Sequence, residues 1–248
     1  VGSKPMAITN CLNFGNPEDK KIMGQFVETI NGINEACKYL DFPIVSGNVS
    51  FYNGTNKKNI FPTPVIGGVG LIQDIKKVVN HKFKEIGNEV LIVGKTFGHL
   101  EQSAFFTEVH NNLEGAPPEV NLKNEKNNGN IILKLIEKGY VNAVHDVSSG
   151  GIILALAEMS ISSGIGIRAF RPNKLSNIYE YFFGEDQSRY IIELKKQKIS
   201  ATKKLLKDSD IFYETIGQTN EKNFVIEKEF EESVNKLYNY NNTWFNNF

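Results

Sequence analysis

Apolar and polar residues along the first part of the chain predict a strand followed by a long helix. Lys4–Thr9 is a short strand candidate, and the Asn- and Gly-rich segment Asn10–Asn16 follows it. Apolar residues then recur at three- and four-residue spacing from Met23 to Leu40, with polar residues opposite. This period predicts an amphipathic helix of about five turns, opened by Pro17.

The segment after this helix predicts further strands. Pro43–Val45 is expected to be a buried strand that ends in a turn at Ser46–Asn48. Val49–Tyr52 and Thr63–Ile72 are predicted to form a hairpin around a polar tip, and glycines in the second strand indicate a bulge or a close backbone approach. Residues 1–72 therefore predict a small, incomplete mixed sheet with one long helix.

A Lys-rich stretch at residues 73–88 is interpreted as a linker, and beyond it strand-like and helix-like segments alternate. This alternation predicts a complete α/β layered domain over residues 89–248. The predicted strands are Val90–Val93, Val141–His145, Ile165–Phe170, Tyr190–Leu194, Phe212–Gln218 and Phe224–Ile226. The predicted helices are Ile131–Glu137, Ile152–Ser162, Leu175–Phe182, Lys203–Leu206 and one near Phe230–Leu237.

Composition and charge narrow the classes of function. The 28 Lys and Arg balance the 28 Asp and Glu, so the chain has no basic field to attract nucleic acid or an anionic membrane. The longest apolar runs, such as Gly151–Ala157, fall well short of the roughly 20 residues of a membrane span. Cys11 and Cys37 have no metal-binding spacing, which favours a reduced, cytoplasmic chain.

Two polar segments in the first part of the chain are candidates for ligand binding. Asn10–Asn16 offers three neutral side-chain amides, which can orient a ligand or can simply cap the following helix. In Ser46–Ser50, Gly47 permits a close backbone approach to a phosphate, and Asn48 can offer a hard oxygen to Mg²⁺. The Ser50 hydroxyl can bond a ligand.

Two segments in the second part carry further candidates. His145–Gly151 joins a strand to an apolar helix through a Gly/Ser turn, a pattern typical of anion sites, although Ser148 or Ser149 can equally be a simple N-cap. Phe183–Tyr190 contains two carboxylates, an amide and an arginine, for which an ion-paired loop is the alternative interpretation.

Several of these segments resemble one family. The matching segments are Ile8–Pro17, Val45–Asn53, Pro62–Pro64, His145–Ser148 and Phe183–Tyr190. In this order they are similar to the C-terminal half of the synthetase subunit of phosphoribosylformylglycinamidine synthase, in the aminoimidazole ribonucleotide synthetase-like superfamily. The resemblance extends from Lys4 to about Lys228, and its first two motifs are specific to the family.

The resemblance implies a fold, a reaction and partners. Residues 1–72 would be part of a second N-type, ATP-binding and barrel-forming domain, and residues 89–248 a second C-type α/β domain. The family converts formylglycinamide ribonucleotide, ATP and glutamine-derived ammonia into formylglycinamidine ribonucleotide, ADP and phosphate, through an iminophosphate. The implied partners are the missing N-terminal half of the subunit, a glutaminase subunit and a small accessory subunit.

The resemblance also implies residue roles. Asn10, where many members have Asp, and the backbone at Gly47 would contact ATP; Asn48 would be a Mg²⁺ ligand, and Ser50 would contact the substrate. An auxiliary, often non-catalytic pocket that sometimes holds a structural nucleotide would comprise His145, Asp146, Glu185, Gln187 and Arg189. The family's catalytic histidine and main metal-binding carboxylates lie in the first half, so this chain is expected to contain no catalytic residue.

These implications lead to the expectation that the chain is inactive alone. Two alternatives stay open: a non-catalytic scaffold with a structural nucleotide pocket, and another ATP-dependent synthetase of the same superfamily. Because about three strands and one helix cannot cover both faces of a sheet, residues 1–72 are expected to pair in a two-fold dimer or to aggregate.

Overall fold

The computed structural model describes residues 1–56, 58–172 and 177–247, with side chains up to residue 245. The chain divides into two compact units, Ser3–Ile75 and Lys76–Phe248, and Val1 and Gly2 belong to the second of them. Within the described ranges, every helix is too short or too polar to cross a membrane.

The Ser3–Ile75 unit is built on a three-stranded sheet in the order β2-β1-β5. Its elements are β1 (Lys4–Asn13), α1 (Lys20–Leu40), β2 (Ile44–Ser50), β3 (Gly54–Thr55), β4 (Lys58–Asn59) and β5 (Thr63–Leu71). The central strand β1 runs parallel to β2, with α1 in the connection, and antiparallel to β5. The predicted mixed sheet with one long helix is thus confirmed.

Three local predictions for this unit are wrong. Strand β1 continues through Asn10–Asn13, and Ser46–Asn48 lies inside β2 instead of forming a turn. Strand β5 pairs with β1 and not with β2, because the chain crosses to the far edge of β1 before it returns. The hairpin at the polar tip is formed by the short strands β3 and β4.

Helix α1 begins later than predicted, and it buries a small aromatic cluster. The Asp19 side chain caps the helix by accepting the Lys21 N–H at 2.8 Å, so Pro17 precedes the first turn. Leu12, Phe14 and Ile22 are buried, and the rings of Phe14 and Phe26 pack edge to face with centroids 5.3 Å apart. This cluster is the core of the unit.

Most of the remaining apolar surface of this unit is exposed. Strand β2, predicted to be buried, has Val45 67% exposed, and on β5 Val69 is 59% exposed. Cys37 on α1 is also only half-buried. A small sheet with a single helix leaves these side chains without cover in the unit itself. The dimer expected from the sequence stays a prediction.

The Lys76–Phe248 unit is an α/β layered domain, as predicted. Its strands are β6 (Glu89–Val93), β7 (Val141–Asp146), β8 (Gly166–Ala169), β9 (Tyr190–Leu194), β10 (Tyr213–Asn220), β11 (Asn223–Ile226) and β12 (Phe230–Ser233). Its helices are α2 (Leu122–Glu137), α3 (Gly151–Ser163), α4 (Ile178–Phe183), α5 (Ile199–Asp208) and α6 (Val234–Thr243), with a π-helical turn at Phe105–Val109 and 3-10 turns at Lys196–Lys198 and Trp244–Asn247. A further 3-10 turn, Ile75–Lys77, begins at the last residue of the first unit. The sheet order is β12-β11-β8-β10-β6-β9-β7.

Alternate residues of the inner strand β6 enter two different cores. Val90 and Ile92 pack with residues of α3 and α4, whereas Leu91 and Val93 pack with residues of α2 and α5. Because side chains alternate along a strand, the sheet is covered by helices on both faces. The layered fold follows from this double burial.

The boundaries of several elements differ from the sequence-based prediction. Helix α2 begins at Leu122 and not near Ile131, because Asn121 caps it by accepting the Asn124 N–H at 3.0 Å. Phe230–Ser233 is a strand paired with β11, and the last helix begins only after it. Leu175, the predicted start of another helix, lies outside the described residues.

Candidate functional site

Asn10 and Gly47 lie side by side on the parallel strands β1 and β2. A Cβ atom at position 47 would lie 1.9 Å from the Asn10 Oδ1 and 3.3 Å from the Asn10 carbonyl oxygen. Only glycine therefore leaves room for the Asn10 amide over the edge strand. The structure brings together the two residues that the sequence resemblance linked to ATP.

Asn48 and Ser50 lie elsewhere on the same pair of strands. Asn48 pairs with Cys11, and its Nδ2 donates to the Cys11 Sγ at 3.9 Å. Because successive side chains point to opposite faces of a sheet, Asn48 projects from the face opposite to Asn10. Ser50 accepts a hydrogen bond of 3.0 Å from the Nδ2 of Asn53, which ties it to the following turn.

The fit of these residues to Mg²⁺ can be judged from their chemistry. Asn48 is exposed and offers one neutral amide oxygen. Among the residues that the structure describes, no three His, Cys, Asp or Glu side chains are grouped so that they could hold a metal ion. Mg²⁺ binds through carboxylates, phosphates and water in octahedral geometry. The Asn48 amide can therefore offer one oxygen to such an ion, but it projects from the face opposite to Asn10, and the described residues do not form a complete site.

In the second unit, several loops meet at one end of the sheet. The strand register pairs Tyr190 with Val93 on one side and with Asp146 on the other. This end therefore carries the loop after β6, the turn after β7 and the loop before β9. The latter two contain the His145–Gly151 and Phe183–Tyr190 motifs.

Glu185 holds two of these loops together. Its Oε1 accepts the N–H of Ala104 and the N–H of Gly150, both at 2.7 Å. Gly150 is the N-cap of α3, with a left-handed φ of 80°, so the alternative in which Ser148 or Ser149 caps this helix is wrong. The N-terminus of α3 is bonded to a carboxylate of the chain itself.

Asp186 binds a run of consecutive backbone donors. Its Oδ2 accepts the N–H groups of Phe97 and Gly98, both at 2.9 Å, and its Oδ1 accepts that of His99 at 3.2 Å. Asp186 is itself buried, with Arg189 as its ion-pair partner at 3.8 Å. This carboxylate therefore fixes the loop after β6.

Arg189 is buried, and its guanidinium bonds to the protein interior. Its Nε donates to the Asp186 carbonyl oxygen at 2.9 Å, and its Nη2 donates to that of Gly184 at 2.6 Å. Its Nη1 donates to Thr96 Oγ1 at 3.1 Å. Burial lowers the pKa of Arg189 to about 10, which leaves it protonated at neutral pH. These bonds shape the Phe183–Tyr190 loop.

His145 lies between two carboxylates. Its Nε2 is 2.8 Å from the Glu158 Oε2, and its Nδ1 is 3.3 Å from the Asp146 Oδ1. The hydrogen bond to Asp146 raises the pKa of His145 and lowers that of Asp146, and Glu158 contributes further to the rise. A second histidine, His81, packs near it, with ring centroids 5.2 Å apart and ring planes tilted by 52°. His81 lies outside the sequence motifs.

A cavity of about 660 Å³ lies at this end of the second unit. Among the predicted auxiliary-pocket residues, Gln187 is in its lining, but His145 and Asp146 are not. Asp186 also lines the cavity, together with the carboxylates Glu101, Glu119 and Glu180, which sequence reasoning missed because no motif marks them. The predicted pocket thus separates into a cavity, a loop clamp of Glu185, Asp186 and Arg189, and a histidine cluster.

Comparison with known families places the chain. Residues 1–72 match the AIR synthase related protein N-terminal domain, and residues 85–228 match the C-terminal domain of the same family. The chain belongs to the AIR synthase related protein family. This confirms the family-level resemblance seen in the motifs.

Curated relatives are similar over the whole chain. It is 49% identical over 248 residues to phosphoribosylformylglycinamidine synthase subunit PurL of Pelagibacter ubique, covering 100% of this chain and 34% of the relative. It is 44% identical over 237 residues to the subunit of the same name from Bradyrhizobium diazoefficiens, covering 96% of this chain and 32% of the relative. The chain thus spans about a third of the length of these relatives.

Solved structures share the fold. Thermotoga maritima PurL complexed with ATP superposes with a TM-score of 0.69 at 17% identity, covering 96% of this chain and 38% of that protein. A structure of PurLQS from Thermotoga maritima gives a TM-score of 0.69 at 19% identity over the same shares, 96% and 38%. At these identities the likeness shows the fold alone.

Proposed function

We propose that this chain is part of the synthetase subunit of phosphoribosylformylglycinamidine synthase, an ATP-dependent ligase that forms a carbon–nitrogen bond. The subunit would convert formylglycinamide ribonucleotide and glutamine-derived ammonia into formylglycinamidine ribonucleotide. The observation that carries the proposal is the packing of the Asn10 amide over Gly47, at the positions where the family resemblance expects ATP contacts. The names of the curated relatives support the same assignment.

The proposed ligand contacts use the edge of the three-stranded sheet. The missing side chain at Gly47 makes room for the neutral Asn10 amide, which can orient the nucleotide without repelling it. Asn48 would supply one oxygen to Mg²⁺, and Ser50 would contact the substrate. Because β2 is an edge strand of this sheet, a ligand at this edge can contact Asn10 on one face of the sheet and Asn48 on the other. When bound, ATP would supply the activating phosphoryl group, and Mg²⁺ would neutralise the negative charge of the phosphates.

The remainder of the subunit is part of the proposal. The chain corresponds to about a third of the length of its relatives. The expected catalytic histidine and main metal-binding carboxylates would belong to the rest. Turnover would therefore require that remainder, with a glutaminase subunit to supply ammonia and a small accessory subunit. The complex would act in the cytoplasm.

A scaffold role is the second candidate. The observation that favours it is that Glu185 and Arg189, predicted to line an auxiliary pocket, bond instead to the chain's own backbone and to Thr96. In this case the second unit would support the subunit without binding a nucleotide. A third possibility, a different ATP-dependent synthetase of the superfamily, predicts turnover by the chain alone.

One experiment separates these functions. Binding of a non-hydrolysable ATP analogue to the chain is measured first, followed by ammonia-dependent ADP release with formylglycinamide ribonucleotide, with and without the remainder of the subunit. The proposal expects ADP release only in the combined sample. Activity of the combined sample without analogue binding at Asn10 and Gly47 supports the scaffold, and turnover by the chain alone supports a different synthetase.

A further inference from the structure

Two adjacent carboxylates in the second unit accept five backbone N–H groups from outside their own loop. Glu185 takes those of Ala104 and Gly150. Asp186 takes those of three consecutive residues, Phe97, Gly98 and His99. Each carboxylate therefore satisfies several main-chain donors that converge on one point.

Donor sets of this kind commonly bind anions. A helix N-terminus presents unbonded N–H groups and the positive end of the helix dipole, and successive N–H groups in a loop form a concave anion nest. Here Glu185 occupies the N-terminus of α3 and Asp186 occupies the nest at Phe97–His99. A phosphate would have to displace a carboxylate of the chain to use either set.

The surrounding charge also opposes an anion. The neighbouring cavity is lined by Glu101, Glu119 and Glu180 in addition to Asp186, and no lysine or arginine is among its described lining residues. The nearby guanidinium of Arg189 is 1% exposed and bonds to two carbonyl oxygens and to Thr96. Carboxylates that surround a cavity raise the energy of a second anion placed inside it.

We infer that Glu185 and Asp186 are specificity-determining residues that exclude phosphate-bearing ligands from this end of the second unit. The cavity beside them is suited to neutral or cationic polar groups. The inference rests on the hydrogen bonds and the cavity lining, and it does not depend on the proposed function. It departs from the expectation that this pocket holds a nucleotide.

In the first test, the isotope-labelled full chain is titrated with inorganic phosphate, and the NMR signals of five backbone amides are recorded at each phosphate concentration. These are the amides of Phe97, Gly98, His99, Ala104 and Gly150. Sodium chloride at equal ionic strength is the control. The inference expects the same small, non-saturating shifts in both salts. A saturable, phosphate-specific shift of these amides would overturn it.

The second test opens one donor set by substitution. Glu185→Ala removes the acceptor, whereas Glu185→Gln keeps an oxygen that can accept both N–H groups. We expect Tm of Glu185→Ala to rise by roughly 3 °C when phosphate reaches about five times its Kd, with no such rise in the wild type or in Glu185→Gln. The amides of Ala104 and Gly150 should shift together with Tm.

The outcomes of this second test are distinct. A folded Glu185→Ala protein with the wild-type response to phosphate contradicts the inference, because the freed donors would then have no affinity for an anion. A phosphate-dependent Tm in the wild type contradicts it as well. If Glu185→Ala does not fold, the wild-type amide titration decides the question alone.

Discussion

The Oδ1 atom of Asn10 lies 1.9 Å from the point where a Cβ of residue 47 would stand, so the Asn10 amide and a side chain at 47 exclude each other. This relationship links a neutral amide on the central strand to the missing side chain on the neighbouring edge strand. It makes glycine at position 47 a requirement of the proposed ATP contact, and it leads to the first prediction.

Gly47→Ala should displace the Asn10 amide and reduce ATP-dependent turnover of the assembled subunit by at least about tenfold, equivalent to ~1.4 kcal/mol. Because the Asn10 side chain can rotate away, the free energy of unfolding should change by no more than about 1 kcal/mol. Gly68→Ala is the matched control, since its Cβ would make an ordinary contact of 3.5 Å with Phe42. Equal turnover in both variants would contradict the assigned contact.

Asn48→Leu should depress turnover of the assembled subunit by about tenfold or more, because it removes the oxygen that we propose as a Mg²⁺ ligand. The fold should be unaffected, since Asn48 is exposed and the only hydrogen bond described for its side chain is a weak one to Cys11. Asn48→Asp, which keeps an oxygen, should retain more activity, and raising the Mg²⁺ concentration should narrow the difference. A Leu variant with wild-type Mg²⁺ dependence would remove Asn48 from the metal site.

His145→Ala should destabilise the protein more at pH 6 than at pH 8.5. The pKa of His145 is raised by its bonds to Asp146 and Glu158, so its folded form binds the proton more tightly than the unfolded chain. Its contribution is fully present below the unfolded pKa and is lost as the pH rises through the folded pKa. We expect the variant to lose about 1 kcal/mol more of its free energy of unfolding at pH 6 than at pH 8.5. The value is this small because Asp146 and Glu158 are exposed and water screens their charges.

The measurement for His145 is urea unfolding of the wild type and the variant across this pH range. His81 acts in the opposite direction, because burial and the charge of His145 lower its pKa. Its protonation therefore costs stability as the pH falls. His81→Ala is the informative companion variant, since it should relieve part of the acid destabilisation. A His145→Ala penalty that is constant across the pH range would show that the bonds to the carboxylates do not depend on its charge.

Arg189→Ala should reduce the free energy of unfolding by about 3–5 kcal/mol, because it leaves Asp186 without its buried ion-pair partner and two carbonyl oxygens without their donor. Denaturant unfolding of the full chain measures this loss. Arg168→Ala is the control, since Arg168 is exposed on β8 and its removal should change stability by no more than about 0.5 kcal/mol. Similar, small losses in both variants would show that Arg189 does not hold the loop.

Much of the fold could be predicted because hydrophobic periodicity reports on burial within one element. The period of three and four residues from Met23 to Leu40 was sufficient to identify α1, which the structure places at Lys20–Leu40. Strand pairing was not predictable in this way. Nothing local to Thr63–Leu71 indicates that it pairs with β1 instead of β2. The polar residues of Ser46–Asn48 suggested a turn, but pairing with β1 keeps them extended.

For the candidate site too, the sequence indicates individual residues but not their long-range contacts. The motifs located Asn10 and Gly47, and the strand register brings them together. One motif also contains Glu185 and Asp186, but it does not indicate which backbone N–H groups these carboxylates bind. Their backbone donors lie between 35 residues away, at Gly150, and 89 residues away, at Phe97. Contacts at such separations depend on the packed fold and leave no periodic signal in the sequence.

The most direct test of the central claim is the activity of a chimeric subunit. In the PurL subunit of Pelagibacter ubique, the third that matches this chain is replaced by the chain itself, and ammonia-dependent ADP release with formylglycinamide ribonucleotide is measured. The intact relative is the positive control, and the chimera with Gly47→Ala is the negative control. We predict turnover by the chimera and a loss of about tenfold or more in the variant. A folded chimera that binds ATP but releases no ADP with this substrate would contradict the account.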